Sequence, residues 1–557
     1  MRAGSGAAAA FALLAVAPSA RGSRQGAAEP AEPLRERLEQ MEAVDRFAVN
    51  DTPLALPRAL TLLYRSNGYQ EFWTPERLEV LLGLLRDSSQ DGLTPEDYHL
   101  APLSRLAPAF RGAAPTARAN TDLLATDGFV LLLDHLYRGK VDPRSLDPRW
   151  NYELRPIREK SALEFVSTAL NKGRFKEAIE QVRPQHWWYE RALASLADYR
   201  AIAARGGWVA IAPGPALKAG ATGERVAALR RRLAATGDLP GSVAEGSAFD
   251  ETLAQAVRAF QTRHRMTADG SVGSGTLAAL NVPVEDRIRQ IRVNLERARW
   301  VLHDLPEGPI VLVDIAGFEV SYRRDEEPLW QARIQVGKPY RQTPIFRSAI
   351  DLIVFNPTWT VPPTILAKDV LPEARRNPRY LASKKLEVLD RNGKPVDPAS
   401  IDWAKATPKN FPYMLRQGPG PDNALGRVKF LFPNPDFVYL HDTPSKALFE
   451  KDERAFSSGC IRVQDPLELA RWLLDDKGDW SAETIAAVID AGATRTVRLK
   501  RPVPVLLLYW TILPSDKGQT VFKYDPYDRD PPLEKALDEP LRGPVSIQFT
   551  ADGSGTG

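Results

Sequence analysis

The sequence predicts a multidomain α+β protein, and three observations carry that expectation. A chain of 557 residues exceeds the roughly 250 to 300 residues at which a single core stops growing. Apolar residues recur at helical spacing up to about position 282, whereas from Ile310 onward short runs rich in Val, Ile, Leu and aromatics alternate with Gly, Pro and charged turns. Proline, at 46 residues, marks many loops and edge segments.

Residues 1–22 are expected to be an export signal: Arg2 gives the positive start, Ala7–Ala17 an apolar run containing Phe11, Leu13 and Leu14, and Ala20-Arg21-Gly22 a small-residue exit. That run is shorter than the about 20 apolar residues a membrane span needs. No stable membrane span is therefore expected after cleavage near Gly22, and the mature protein is expected to be exported. Residues 33–205 are expected to form a helical scaffold. Leu124, Phe129, Leu132, Leu133 and Leu136 fall largely on one helical face, and a second helix is expected over His186–Ala204. Its Trp187 and Trp188 are read as core in preference to a sugar-stacking platform.

A small unit over residues 215–283 follows the Gly206-Gly207 and Pro213-Gly214-Pro215 breaks. Val226, Leu229 and Leu233 form one stripe, Leu253, Val257 and Phe260 a second, and Leu277 with Leu280 a third, so three short helices close a small core. Residues 308–500 read as a β-rich domain. Within it, 372–427 is charged and rich in Pro and Gly, and is either a lid or a decorated surface loop. Leu467–Leu474 returns to helical spacing, and residues 501–545 are expected to pack on the scaffold or on the β-rich domain.

The 74 basic and 70 acidic side chains leave a formal charge of +4, too small a bias to point to nucleic acid. Six scattered histidines without a paired HExxH, and a single cysteine, argue against a zinc site; nothing matches a GxxxxGK phosphate loop. No cofactor is expected. An arbitrary lone cysteine is more often an inert buried residue. Cys460, however, sits in Ser457-Ser458-Gly459-Cys460-Ile461-Arg462, a tight-turn sequence, and His441 ends the apolar run Phe437–Leu440 upstream. A strand end presenting an imidazole and a glycine turn presenting a thiol suit a nucleophile with its general base, with the backbone around Gly459 facing a developing oxyanion.

His441-Asp442 followed by Ser458-Gly459-Cys460-Ile461-Arg462 resembles the active-site signature of the L,D-transpeptidase family. Val336-Gly337-Lys338, Arg341-Gln342-Thr343-Pro344 and Phe355-Asn356-Pro357-x-Trp359-x-Val361-Pro362-Pro363 resemble strands and loops of the same catalytic domain. The resemblance covers about residues 308–500 and extends to the large periplasmic members with a scaffold. The small unit, through Gly223-x-x-Val226-x-x-Leu229, Phe249-Asp250, Ala256-Val257-x-x-Phe260-Gln261, Asp269-Gly270-x-x-Gly273 and Thr276-x-x-x-Leu280-Asn281, resembles a three-helix peptidoglycan-binding domain, as a glycan binder or as a spacer. Many family members have His where Ser458 stands and Asn where Arg462 stands, so His441 is left as the single imidazole of the motif.

The resemblance implies a peptidoglycan tetrapeptide stem as substrate. Cys460 attacks the carbonyl of the third-position diamino acid, His441 takes the thiol proton, D-alanine leaves, and the acyl group passes to another stem's third-residue amine, cross-linking the wall. Ser458, Arg462 and Tyr439 are expected on the substrate side. For Arg462 the alternative is a salt bridge that stiffens the turn, and for Tyr439 a place in the core. Water as acceptor (an L,D-carboxypeptidase), attachment of a lipoprotein, and a non-catalytic wall-binding scaffold remain open; wall synthases are the other candidate partners.

Overall fold

The computed structural model describes residues 32–550 except 45, 149, 153, 325–326, 378, 475–478, 516–518, 542–543 and 546–548; the expected export signal lies outside the described residues. The N-terminal half is helical, with Pro57–Ser66, Pro75–Asp87, Pro115–Arg138, Glu159–Lys172 and Phe175–Val182 packed around Leu60, Tyr64, Leu81, Phe129, Leu132 and Phe175. Pro57, Pro75 and Pro115 each open a helix, where the missing N–H has no intrahelical partner to lose. Two buried carboxylates fasten the preceding chain to the longest helix. Asp127 accepts from the N–H groups of Ala55 and Leu56, both at 2.8 Å, and Asp122 accepts from Tyr64 Oη at 2.6 Å and Trp73 N at 3.0 Å.

The helix Trp187–Ala204, expected within the scaffold, shares a core with the β-rich domain. It lies along Val284–Val301, and Trp188 sits 4.8 Å from the Trp510 ring. Trp188 is thus a core residue, as the helical spacing implied. The small unit forms helices Glu224–Ala235, Glu251–Arg263 and Ser274–Leu280 around Val226, Leu229, Leu253, Val257 and Phe260. It leans on the β-rich domain through Arg263 Nη1 to Thr520 O at 2.8 Å, Arg265 to Glu319 at 3.1 Å and Thr267 Oγ1 to Asp452 at 3.0 Å.

Nine strands make the main sheet: β1 (Pro309–Asp314), β2 (Glu319–Arg324), β3 (Glu327–Gly337), β4 (Phe346–Phe355), β5 (Val428–Leu431), β6 (Leu440–His441), β7 (Ala455–Ser457), β8 (Ile461–Val463) and β9 (Arg495–Leu508). Their order is β7-β3-β8-β6-β5-β4-β9-β1-β2, and β3 also pairs with β2, so the sheet returns on itself and encloses Val311, Val320, Ile334, Phe355, Phe430, Leu440, Ile461 and Val505. Closure leaves few open edges.

Two expected boundaries shift. Thr496–Leu499 and Val503–Tyr509 read as separate runs because Lys500-Arg501-Pro502 looks like a turn; β9 instead runs across residue 500, absorbing the interruption as a register shift between Arg498 and Val503. The inserted segment begins before residue 372. Trp359–Thr360 pairs with Met414–Gln417, which pairs with Glu387–Leu389, over a separate core of Val361, Val370, Leu381, Val388 and Leu415. Short strands in a polar stretch carry too little alternation to be read from sequence.

Candidate active site

Strand β6 is two residues long and is flanked by β5 and β8. Lys429 of β5 stands opposite His441 in antiparallel register, and Arg462 of β8 stands beside His441 in parallel register. Leu440 and Ile461 are fully buried inside the barrel, so the alternation of a strand turns Lys429, His441 and Arg462 to the other face. Tyr439 and Cys460 precede His441 and Arg462 by two positions and share that face. The Ile461 N–H donates to Tyr439 O at 3.0 Å, continuing the ladder, and the Tyr439 and His441 rings meet edge to face at 5.7 Å between centroids.

The turn that carries Cys460 is fixed from below. Ser457 Oγ donates to Cys460 O at 2.6 Å and accepts from the Gly459 N–H at 3.1 Å, while Gly459 has a φ of +120°, which favours glycine strongly. An oxyanion contact is expected from the backbone around Gly459. The buried serine captures the Gly459 N–H, and of the two amides it is the Cys460 N–H that has no acceptor among the described residues. Thr343 Oγ1 donates to Gly459 O at 2.8 Å and accepts from the Gly337 N–H at 2.9 Å; Tyr527 Oη donates to Gly337 O at 2.8 Å and accepts from the Thr343 N–H at 3.1 Å. The segment after β9 thus braces the cysteine turn.

His441 is buried, and its Nδ1 lies 2.5 Å from Asp442 O. A ring N–H must fill that contact, so the neutral imidazole carries its lone pair on Nε2. Burial, then the positive charges of Arg462 and Lys429, push its pKa down to about 3. The Asp442 carboxylate is turned away and holds Lys446 and the Arg427 N–H, the latter at 2.9 Å. Burial pushes the half-buried Cys460 thiol up, opposed by the Tyr439 backbone N–H, the Arg462 charge and the Tyr439 hydroxyl. Both shifts favour the neutral forms of the two groups. The thiol itself donates to Phe437 O at 3.8 Å, not to the imidazole.

Tyr439 meets the His441 ring and is at the same time partly buried against the core of the β-rich domain. Arg462 donates from Nη1 to Gln335 Oε1 at 3.1 Å, and its Nε is buried without a partner; no carboxylate pairs with it among the described residues, so the salt-bridge alternative does not hold. Ser458 is exposed and its Oγ accepts from Arg341 Nη1 at 2.8 Å. Sequence reasoning gave no site role to Lys429, Arg341, Thr343 or Tyr527, although Arg341 and Thr343 stand in the Arg341-Gln342-Thr343-Pro344 segment and Lys429 is a lysine between the apolar Val428 and Phe430. Among the described residues no group of His, Cys, Asp and Glu is arranged to hold a metal ion, and no helix is long and apolar enough to cross a membrane.

Comparison with known proteins matches three parts of the chain to families. Residues 308–505 match the L,D-transpeptidase catalytic domain family, residues 58–196 a scaffold domain family, and residues 222–280 a family described provisionally as a peptidoglycan binding domain. The β-rich domain is thus similar to the L,D-transpeptidase catalytic domain family, in a chain of mixed α+β architecture. A Haemophilus influenzae protein named provisionally as an L,D-transpeptidase is 37% identical over 223 residues, which are 40% of this chain and 44% of that protein. The chain thus spans less than half the length of that relative. Among solved structures, an L,D-transpeptidase fragment from Xylanimonas cellulosilytica (16% identity, TM-score 0.18, 53% of this chain and 100% of that one) and an L,D-transpeptidase from Stackebrandtia nassauensis (13%, TM-score 0.21, 52% and 94%) are similar in sequence terms only weakly, and at those scores they carry no structural argument.

Proposed function

We propose that this protein is an exported, periplasmic L,D-transpeptidase whose nucleophile is Cys460 and whose general base is His441. The observation that supports this best is the shared sheet face: Cys460, His441, Tyr439 and Arg462 line it, and the imidazole lone pair is on Nε2. In the first half-reaction the sulfur bonds to the carbonyl carbon of the third-position diamino acid, and the thiol proton passes to His441. The C–N bond to D-alanine then breaks, and His441 returns the proton to the departing amine. In the second half-reaction the side-chain amine of another stem displaces the thiol, forming an amide cross-link between third residues. The Cys460 N–H faces the carbonyl oxygen as charge develops there, a donor of a kind worth about 3 kcal/mol in the transition state. No cofactor enters these steps.

The small helical unit, which leans on the catalytic domain, acts as a spacer that holds the site near the glycan. The test is incubation of the mature protein with purified disaccharide-tetrapeptide, followed by product analysis. Free D-alanine and a cross-linked dimer are expected, both absent with Cys460→Ala. Tripeptide without dimer makes water the acceptor, and no product from folded protein contradicts the reading.

A further inference from the structure

Lys429 and Arg462 flank His441 on two neighbouring strands, in direct register with it, and neither has a carboxylate partner among the described residues. The carboxylate next to His441 in sequence, Asp442, faces the other way and is held by Arg427 and Lys446. Arg462 keeps a buried Nε with no acceptor. Lys429 is half-buried, and its Nζ lies 5.8 Å from the Tyr439 ring centroid. Strands sit about 4.8 Å apart, so the two cations stand on either side of the imidazole rather than scattered over the surface. Two partly desolvated cations side by side are costly unless an anion joins them.

We propose that Lys429 and Arg462 form a carboxylate clamp across His441 that receives the terminal carboxylate of the D-alanine being displaced. This rests on the proposed function for the substrate but not on turnover. In that residue the carboxyl carbon is two bonds from the amine nitrogen that must be protonated as it leaves. A carboxylate held over His441 by both cations sets that nitrogen at the imidazole, with the scissile carbonyl one bond further toward Cys460. Arg462 supplies the directional contact through its planar fork, and Lys429 the point charge. The clamp also gives the site a reason to prefer a stem that ends at the fourth residue, because extending the stem converts this carboxylate into a neutral amide. Burial lowers the pKa of both cations, and both bear on His441, so a bound carboxylate relieves the field that weakens the base.

The experiment is equilibrium binding to the full chain carrying Cys460→Ala, which removes turnover from the question. Three ligands are titrated: the tetrapeptide stem, the same stem with the D-alanine carboxyl amidated, and the same stem with the diamino acid's own carboxyl amidated. The free acid is expected to bind at least about tenfold more tightly than the D-alaninamide stem. That advantage is expected to vanish in Lys429→Met and to return in Lys429→Arg, with the thermal midpoint of each variant showing that it is folded. Amidation of the diamino acid is expected to matter little. Equal binding of acid and D-alaninamide, a discrimination that follows the diamino carboxyl, a Lys429→Met that weakens all three ligands alike, or no binding of any stem each overturns the clamp. A wild-type protein that binds with the expected discrimination yet releases no D-alanine overturns the transpeptidase reading and leaves the clamp standing.

Discussion

Arg341 grips Asp369 with both arms of its guanidinium, Nη1 to Oδ2 at 2.6 Å and Nη2 to Oδ1 at 3.0 Å, and the same Nη1 donates to Ser458 Oγ at 2.8 Å. Asp369 belongs to the inserted segment and Ser458 to the cysteine turn, so one side chain ties the two together. Arg341→Ala is expected to lower kcat/KM for the tetrapeptide about 5- to 30-fold, the factor that 1 to 2 kcal/mol of lost positioning represents, with little change in thermal midpoint. Unchanged kinetics would remove the inserted segment from the account of the site.

Thr343→Val keeps the shape of the side chain and deletes its hydroxyl. Two buried partners, the Gly337 N–H and Gly459 O, lose a hydrogen bond each. A cost of about 1 to 3 kcal/mol per unsatisfied group is expected, visible as a lower denaturant midpoint, together with slower acylation as the Gly459 peptide drifts. A variant as stable and as active as the parent would show that Tyr527 and Ser457 hold the turn without it.

At Gly459 a new Cβ would meet nothing closer than 3.8 Å. The penalty for Gly459→Ala therefore comes from a φ of +120°, of the order of 1 to 3 kcal/mol. The chain is expected to fold and to lose most of its acyl-transfer rate; full activity would mean that the turn tolerates another geometry.

The pH response follows from histidines held neutral. His441 is pushed down to about 3, His303 to about 3 and His186 to about 4, and burial lowers His135 and His264 as well. The unfolded chain binds protons at about pH 6.5 that the folded chain refuses, so stability is full above that pH and falls as pH drops toward the folded values. Thermal midpoints should decline steeply between pH 6.5 and 4, and His441→Gln should flatten part of that slope. By nuclear magnetic resonance, the His441 ring signals are expected to stay constant from pH 8 to 5; a midpoint near 6.5 would contradict its buried neutral state.

The candidate pair is legible in the sequence because it is local. A lone cysteine in a glycine turn and a histidine at a strand end need no long-range information, and two-residue alternation then puts Tyr439 with His441 and Arg462 with Cys460. What surrounds the pair comes from register between distant strands, which composition does not encode. Lys429 reaches His441 through pairing of β5 with β6, Tyr527 reaches Thr343 and Gly337 from the far end of the chain, and Asp369 meets Arg341 from inside the insertion. The capture of the Gly459 N–H by Ser457 is local, yet the sequence offers two adjacent serines and no means to choose between them. The continuity of β9 was hidden by prolines that the pairing tolerates as an irregularity.

The central claim, that Cys460 becomes acylated, is tested most directly by intact-protein mass spectrometry of the protein mixed with disaccharide-tetrapeptide and quenched in acid. An adduct equal to the stem less D-alanine is expected, located to the peptide containing Cys460 and absent from Cys460→Ala. An adduct on another residue, or release of D-alanine by Cys460→Ala at the wild-type rate, would contradict it.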